Sequence, residues 1–253
     1  MSTATKTMQT INLGQGVTLE MVAIPGGAFL MGSPEDEQGR FEDEGPQHQV
    51  TLSAFFMGRY PVTQAQWRAV TSLPQVERKL DPDPSQFKGD KRPVEQVNWF
   101  DAMEFCARLS AHTSQTYTLP SEAQWEYACR AGTTTAFHFG QTLANSQANF
   151  SRKATTEVGS FPPNSFGLSD MHGNVFEWCL DYFHDDYEGA PTNGTAWVTG
   201  EYDYIRSRRG GSWFYDSRYC RCACRGFSNA SARDFSGYGF RVVSVPPRAL
   251  VTL

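Results

Sequence analysis

The sequence has no apolar run long enough to cross a membrane, and no apolar stretch follows a basic start at its N-terminus. These two absences argue against a membrane-spanning protein and against a secretory signal. Positive charge is also scarce, because 22 lysines and arginines stand against 27 acidic residues, a net charge of -5. Nucleic-acid-binding proteins need a basic face. We therefore expect a cytoplasmic protein that binds neither nucleic acid nor membrane, with its six cysteines as thiols.

The common catalytic fingerprints are absent as well. The sequence contains no Gly-x-Ser-x-Gly elbow, P-loop or dinucleotide-binding glycine motif, and its five histidines are scattered without metal-binding spacing. It also has no fixed-period repeat. What it does contain is 253 residues, 40% of them hydrophobic, with 22 glycines, 14 prolines and 13% aromatics. This composition predicts a globular, loop-rich protein with a real core.

Helix signals lie in the first half of the chain. Thr63, Asn98 and Ser121 are predicted N-caps, Ser121 belongs to a capping box, and Gly132 stops the last helix. Strands are predicted within residues 1–18, as a hairpin over Leu19–Ser33, over His48–Tyr60 and over Gly239–Val245. Residues 34–47 and most of the chain after Gly132 are predicted as loop. Because helices and strands do not alternate, the class is α+β with an antiparallel sheet.

Seven motifs follow one another along the chain: GGAFLMGS, EGPQHQV, RPVEQVNWFDAMEFCARLS, LPSEAQWEYACRAG, FPPNSFGLSDMHGNVFEWC, RGGSW and GFRVV. With them the chain resembles the formylglycine-generating enzyme (sulfatase-modifying factor) family from Leu19 to Val245. The resemblance implies a C-type lectin-like fold of small antiparallel sheets, two main helices and much irregular loop. We accordingly expect one domain over residues 19–245, an N-terminal lead-in over 1–18 and a C-terminal tail over 246–253.

Enzymes of that family oxidise a sulfatase cysteine with copper held by two thiolates. Counted from the Gly-Gly-Ser turn, the two thiolate positions correspond here to Tyr215 and Cys220. Because linear Cu(I) coordination takes both thiolates, copper is not expected. An oxidase acting through Cys220 is the alternative function. If Cys220, Cys222 and Cys224 lie on one strand, neighbouring thiols are about 7 Å apart, which is wide for one ion.

The stretch Ser169–Trp178 predicts a calcium site. Asp170 and Glu177 offer hard carboxylate oxygens, and a curled loop between them offers backbone carbonyls. The family resemblance implies the same ligand set: Asp170, Met171, Gly173, Val175 and Glu177. The calcium ion is expected to be structural. The alternative is an ordinary turn with Glu177 hydrogen-bonded and Trp178 in the core.

Residues 210–243 divide into a frame that matches the family and a filling that does not. The filling, Phe214–Tyr219, Cys224 and Gly226–Tyr238, has the aromatic and small polar composition of an antibody paratope. It contains no Lys, Glu, Gln, Met or Trp. The resemblance extends to relatives whose binding surfaces are diversified by retroelements, which mutate the adenines of AAY codons (Y is C or T). Such mutations cannot yield those five residue types, so every residue of the filling fits this rule.

We therefore predict a non-catalytic module that binds a protein or peptide ligand through a diversified surface. A plain, non-diversified family domain is the alternative. The predicted ligand-binding residues are Phe214, Tyr215, Asp216, Ser217, Arg218, Tyr219, Cys224, Phe227, Ser228, Asn229, Arg233, Asp234, Phe235 and Tyr238.

Overall fold

The computed structural model describes residues 7–200, 202–233 and 235–244. Within these residues the helices are α1 (Gln64–Thr71), α2 (Trp99–Thr113) and α3 (Glu122–Arg130). The strands are β1 (Met8–Asn12), β2 (Thr18–Ile24), β3 (Gly27–Met31), β4 (His48–Leu52), β5 (Phe55–Gly58), β6 (Tyr117–Thr118), β7 (Phe176–Tyr182), β8 (Ile205–Arg209), β9 (Arg225–Asn229), β10 (Tyr238–Gly239) and β11 (Val243–Ser244). The predicted α+β class is confirmed.

The three helices begin where their caps predict. The side chains of Thr63, Asn98 and Ser121 each accept a hydrogen bond from the backbone N–H three positions later. The side chain at that third position accepts one in return from the cap's own N–H, so each helix starts with a capping box. Helix α3 ends with Ala131 and Gly132 in left-handed conformations, as the predicted glycine stop requires.

The strands form three sheets. Their orders are β1-β2-β5-β11-β6, β10-β7-β8-β9 and β3-β4. These pairings are antiparallel except that of β10 with β7, which is parallel. The expected antiparallel architecture is therefore present, divided among three small sheets.

The hairpin predicted over residues 19–33 is wrong. Strand β2 pairs with β1 and β5, whereas β3 pairs with β4 in a different sheet. Pro25 and Gly26 form the corner between the sheets, and a Cβ on Gly26 would lie 2.9 Å from the carbonyl oxygen of Leu52. A second corner, between β4 and β5, splits the single strand predicted over His48–Tyr60. Both corners let one chain contribute to two sheets.

The cysteine run near the C-terminus is not a strand. Ser217–Cys220 forms a 3-10 helix, and β9 begins only at Arg225, so the three cysteines do not share a strand face. The strand predicted over Gly239–Val245 is divided, because Gly239 ends β10 and only Val243–Ser244 form β11. Val245, residues 1–6 of the lead-in and the tail 246–253 lie outside the described residues.

The core is built from two main apolar clusters. One lies around α1 and α2, where Phe105 stacks on Trp67 at 5.8 Å and meets Phe240 at 5.2 Å between ring centroids. The other lies around α3 and includes Trp125. No helix within the described ranges is long and apolar enough to span a membrane.

Candidate ligand-binding face

Five aromatic side chains of the predicted filling come together at the surface. Phe214 is 59% exposed, and its ring centroid lies 5.5 Å from that of Tyr215 and 6.0 Å from that of Phe235. Phe235 contacts Tyr238 at 5.1 Å, and Tyr215 contacts Tyr219 at 4.8 Å. We call these five residues the aromatic face.

The Gly-Gly-Ser-Trp frame holds this face in place. Gly211 has a φ of +70°, and a Cβ there would lie 2.5 Å from the sulfur of Cys220, so only glycine fits. The indole N–H of Trp213 donates to the carbonyl oxygen of Ser236 at 2.9 Å. This bond ties together the two chain segments that carry the aromatic face.

The other predicted ligand-binding residues are placed differently. Asp216, Arg218, Phe227, Asn229 and Arg233 are exposed, and Ser217 and Ser228 are half-buried. The guanidinium of Arg218 lies over the ring of Phe41 at 3.8 Å. The prediction that Cys224 contacts a ligand is wrong, because its side chain is 0% exposed and its sulfur lies against the carbonyl oxygen of Arg225. Asp234 lies outside the described residues.

A cavity of about 620 Å³ opens beside the aromatic face. Its walls include Phe41–Asp43, Phe176, Arg208, Tyr215, Tyr219 and Phe227. Neither Phe41–Asp43 nor Arg208 is among the residues predicted from the sequence, because no local pattern places them beside the filling. The one available signal is the run IRSRR before the Gly-Gly turn, which puts three arginines on a single short strand.

Buried ion pairs fix the loop 34–47 against this cavity. The guanidinium of Arg221 pairs with Glu44 and donates to Glu37 at 2.6 Å. Arg225 donates to the backbone oxygen of Asp43 at 2.8 Å. These contacts hold the loop in the position from which Phe41–Asp43 complete the wall.

Cys220 is not accessible from the aromatic face. It is buried in a small apolar cluster that includes Phe137 and Phe150, and burial raises the pKa of its thiol well above the ordinary value. Tyr215 stands at the other position implied for copper, and its ring packs against Phe176 at 5.4 Å. One buried thiol and one phenol do not fit a two-thiolate copper site.

Cys222 belongs to a separate buried group with Cys129 and His172. The two sulfurs are 3.6 Å apart, and the Cys129 sulfur is 4.0 Å from each ring nitrogen of His172. The sulfur separation exceeds a disulfide bond length of about 2.05 Å, so both are free thiols. The ligand atoms of these three side chains lie within 4.8 Å of one another, but both ring nitrogens of His172 take part in hydrogen bonds, so the group offers no free imidazole to a metal ion. The histidines scattered along the sequence are thus not all isolated in the fold, because His172 lies beside two cysteines and its ring centroid is 4.7 Å from that of His138.

Hydrogen bonds define which ring nitrogen of His172 carries the proton. Its Nδ1 lies 2.7 Å from the carbonyl oxygen of Cys220, which assigns Nδ1 as the donor. Nε2 then accepts from the backbone N–H of His138 at 3.2 Å. Burial lowers the pKa of His172 to about 3, so the ring is neutral.

The predicted calcium loop is folded around an arginine. The two oxygens of Glu177 accept hydrogen bonds from Arg241 at 2.6 and 2.7 Å, and one of them also accepts from the indole N–H of Trp125 at 2.7 Å. Asp170 accepts from the backbone N–H of Gly159 at 2.7 Å, and burial raises the pKa of Asp170 to about 6.

The remaining predicted ligands, Met171, Gly173 and Val175, are buried in the same turn. A calcium ion needs several free oxygens, and both oxygens of Glu177 already serve Arg241. The residues therefore fit an internal ion pair and not a calcium cage. Trp178 is buried, and its indole N–H donates to Val97 at 3.0 Å, as expected for the alternative of an ordinary structural turn.

A family model described as "Sulfatase-modifying factor enzyme 1-like domain" matches residues 11–245. The chain belongs to this family. It is 34% identical over 90% of its length to the serine/threonine-protein kinase pkn1 of Chlamydia caviae, and 28% identical over 88% to the formylglycine-generating enzyme of Mus musculus. The aligned region is 38% of the kinase and 74% of the mouse enzyme.

Solved structures of similar proteins confirm the fold of this sulfatase-modifying factor domain. PvdO from Pseudomonas aeruginosa is 33% identical, with a TM-score of 0.84 over 96% of this chain and 100% of that chain. Variable protein 1 of Treponema denticola is 27% identical, with a TM-score of 0.80 over the same shares. The predicted membership of the formylglycine-generating enzyme family, and its C-type lectin-like α+β fold, are confirmed.

Proposed function

We propose that this sulfatase-modifying factor domain is a non-catalytic module that binds a protein or peptide through the aromatic face and the adjoining cavity. The observation that carries the proposal is the cluster of exposed Phe214 with half-buried Tyr215 and Phe235 beside an open cavity. Aromatic residues with small polar neighbours are typical of binding surfaces. We also propose a cytoplasmic location, which the six free cysteines support, since thiols persist in a reducing compartment.

Peptide selection tests the proposed face. Peptides selected from a display library on the native protein are expected to lose at least tenfold in affinity for Phe214→Ala combined with Tyr215→Ala, because truncating interface aromatics typically costs about 2 kcal/mol or more. Phe100→Ala is the matched control, since Phe100 is 42% exposed on α2 and should not affect binding. Equal losses in both variants would contradict the proposal.

The alternative of an oxidase acting through Cys220 has its own test. Purified protein loaded with Cu(I) is incubated with a Cys-x-Pro-x-Arg peptide in air, and aldehyde is measured by mass spectrometry. We expect none, because the Cys220 thiol is buried and Tyr215 replaces its partner. Aldehyde that disappears in Cys220→Ser would establish the oxidase and overturn the binding proposal.

We also propose that the filling is diversified. The absence of five residue types from Phe214–Tyr219, Cys224 and Gly226–Tyr238 supports this, as does the likeness to a protein named variable protein 1. The buried Cys224 is the exception, because a new side chain there would not reach a ligand. The flanking DNA is expected to carry a near-copy of this coding segment with AAY codons and a reverse-transcriptase gene. A complete locus without either would refute diversification.

A further inference from the structure

The cavity beside the aromatic face contains a buried arginine without an acidic partner. Arg208 lies on β8 in the cavity wall and is 6% exposed. Its Nη2 donates to the carbonyl oxygen of Phe227. Its Nε and Nη1 are buried and have no hydrogen-bond partner among the described residues. Unpaired buried donors on a cation are costly, and an anion from a ligand would relieve that cost.

The other buried arginines of the described residues have an acidic partner, except Arg206, which lies on the same strand as Arg208. Arg209 pairs with Glu122 and Glu126, Arg221 with Glu37 and Glu44, Arg225 with Glu122 and Arg241 with Glu177. In the described part of the chain, no carboxylate lies within 4.0 Å of Arg208. Its guanidinium instead lies over the rings of Tyr238 at 4.0 Å and Phe176 at 4.6 Å.

Those two rings offset only part of the cost of burial. A cation over an aromatic face gains about 0.5–2 kcal/mol, less than the desolvation of a charged group costs. In keeping with this, burial lowers the pKa of Arg208 to about 10. The position is thus suited to an added carboxylate, which would form charge-assisted hydrogen bonds with the free nitrogens.

Acidic groups line another part of the same cavity. Asp43 is half-buried, its Oδ1 is buried without a hydrogen-bond partner among the described residues, and burial raises its pKa. Glu42 and Asp185 are exposed at the same cavity. Arg225 also lines the cavity near Asp43, but it is already paired with Glu122. The three acidic groups therefore repel a purely anionic ligand and favour a ligand with a neighbouring cation.

We infer that the cavity binds a short peptide segment in which an acidic side chain pairs with Arg208 and an adjacent basic side chain faces Asp43. The inference rests on the proposed function and adds the chemistry of its ligand. A volume of about 620 Å³ lies within the usual range for ligand sites of about 300–1,000 Å³ and suits a segment of dipeptide size. The aromatic walls would cover the stems of both side chains.

The probes are acetyl-Glu-Lys-amide and two neutralised versions, acetyl-Gln-Lys-amide and acetyl-Glu-Gln-amide. Binding is measured by titration in NMR. The native protein is expected to bind the Glu-Lys probe at least about tenfold more tightly than the Gln-Lys probe, which is the effect of one hydrogen-bonded charge. Arg208→Gln should bind those two probes equally, and Asp43→Asn should no longer distinguish Glu-Lys from Glu-Gln.

Arg206→Gln is the matched control. Arg206 lies two residues away on β8, is also buried, and stacks on Trp99 and Tyr182, but it does not line the cavity. Its variant should discriminate between the probes as the native protein does. Arg208→Lys separates the loss of the charge from a folding defect. It keeps the charge and should therefore retain part of the preference for the Glu-Lys probe.

The outcomes separate this inference from the proposed function. If the native protein binds all three probes alike, or if Arg206→Gln loses discrimination as fully as Arg208→Gln, the charged recognition is wrong. Display-selected peptides that need Tyr215 but are unaffected by Arg208→Gln would overturn the inference and leave the proposed binding face standing. Probes recognised through Arg208 with no effect of changing Phe214 and Tyr215 would overturn the proposed face instead.

Discussion

His172 is a neutral side chain whose burial makes the stability of the fold depend on pH. Its pKa is about 3 in the folded protein, against 6.5 ordinarily. The unfolded chain therefore binds more protons below pH 6.5, and the free energy of unfolding falls as the pH falls from about 6.5 towards 3. The slope from this one group is about 1.4 kcal/mol per pH unit below pH 6.

Urea unfolding at several pH values measures this contribution. In His172→Asn the free energy of unfolding should fall less steeply between pH 6 and 4 than in the native protein, by the slope of one proton. His112, exposed on α2, supplies the control, because His112→Asn should retain the native slope. An unchanged slope in His172→Asn would show that the folded protein accommodates the charged imidazole.

The six cysteines should be unreactive while the protein is folded. All are buried and free, and burial raises the thiol pKa of Cys129, Cys179 and Cys220 well above the ordinary value. Since the thiolate is the reacting species, Ellman's reagent should label none of them rapidly in the native protein and six in guanidinium chloride. A count of four after denaturation, restored to six by reductant, would show one disulfide, for which Cys129 and Cys222, with sulfurs 3.6 Å apart, are the expected pair.

At the scale of elements, the ion pair of Arg221 with Glu44 joins the loop 34–47 to the chain segment between Tyr219 and Phe235 of the aromatic face. Both side chains are almost fully buried. An uncompensated buried charge typically costs about 3–5 kcal/mol, but Arg221 keeps Glu37 as a second counter-charge. Glu44→Gln should therefore lower the free energy of unfolding by less than this, by about 1–3 kcal/mol, as measured by urea denaturation. Glu35→Gln, at an exposed position of the same loop, should have almost no effect.

The same elements explain which parts of the fold the sequence predicts. Helix starts are encoded locally, because the cap and its partner lie three residues apart, and all three are predicted at the correct residue. The corner at Pro25 and Gly26 is not encoded in this way. Its turn residues suit a hairpin equally well, and the choice between sheets depends on β4 and β5, which lie far along the chain.

The residues of the candidate site also differ in whether local sequence predicts them. Phe214 and Tyr215 are predicted as surface contacts because the frame motifs around them are recognisable in sequence. Arg208 and Asp43 are not predicted, because what distinguishes them is side-chain atoms without a hydrogen-bond partner among the described residues, and this depends on every chain segment around them. Cys224 is misplaced for a related reason, since its place in the filling rests on a comparison with the family frame, which gives no information about burial.

At the scale of the whole molecule, Glu177 and Arg241 connect two sheets. Glu177 belongs to β7 in the four-stranded sheet, and Arg241 also donates to the carbonyl oxygen of Gly58 at 3.0 Å, at the end of β5 in the five-stranded sheet. The sequence interpretation of Glu177 as a calcium ligand and the observed ion pair predict different behaviour. A bound calcium ion would stabilise the folded state by mass action, so its removal would lower the melting temperature.

The ion pair predicts that EDTA and added Ca²⁺ leave the Tm of the native protein unchanged, measured by differential scanning fluorimetry. It also predicts that Glu177→Gln lowers the Tm by roughly 10 °C, because Arg241 is then buried without its counter-charge at a cost of about 3–5 kcal/mol. Glu20→Gln is the control, since its bond to Arg59 is partly exposed and such pairs contribute little. A Tm that falls in EDTA, recovers with Ca²⁺ and becomes insensitive to both in Asp170→Asn would instead establish the calcium site.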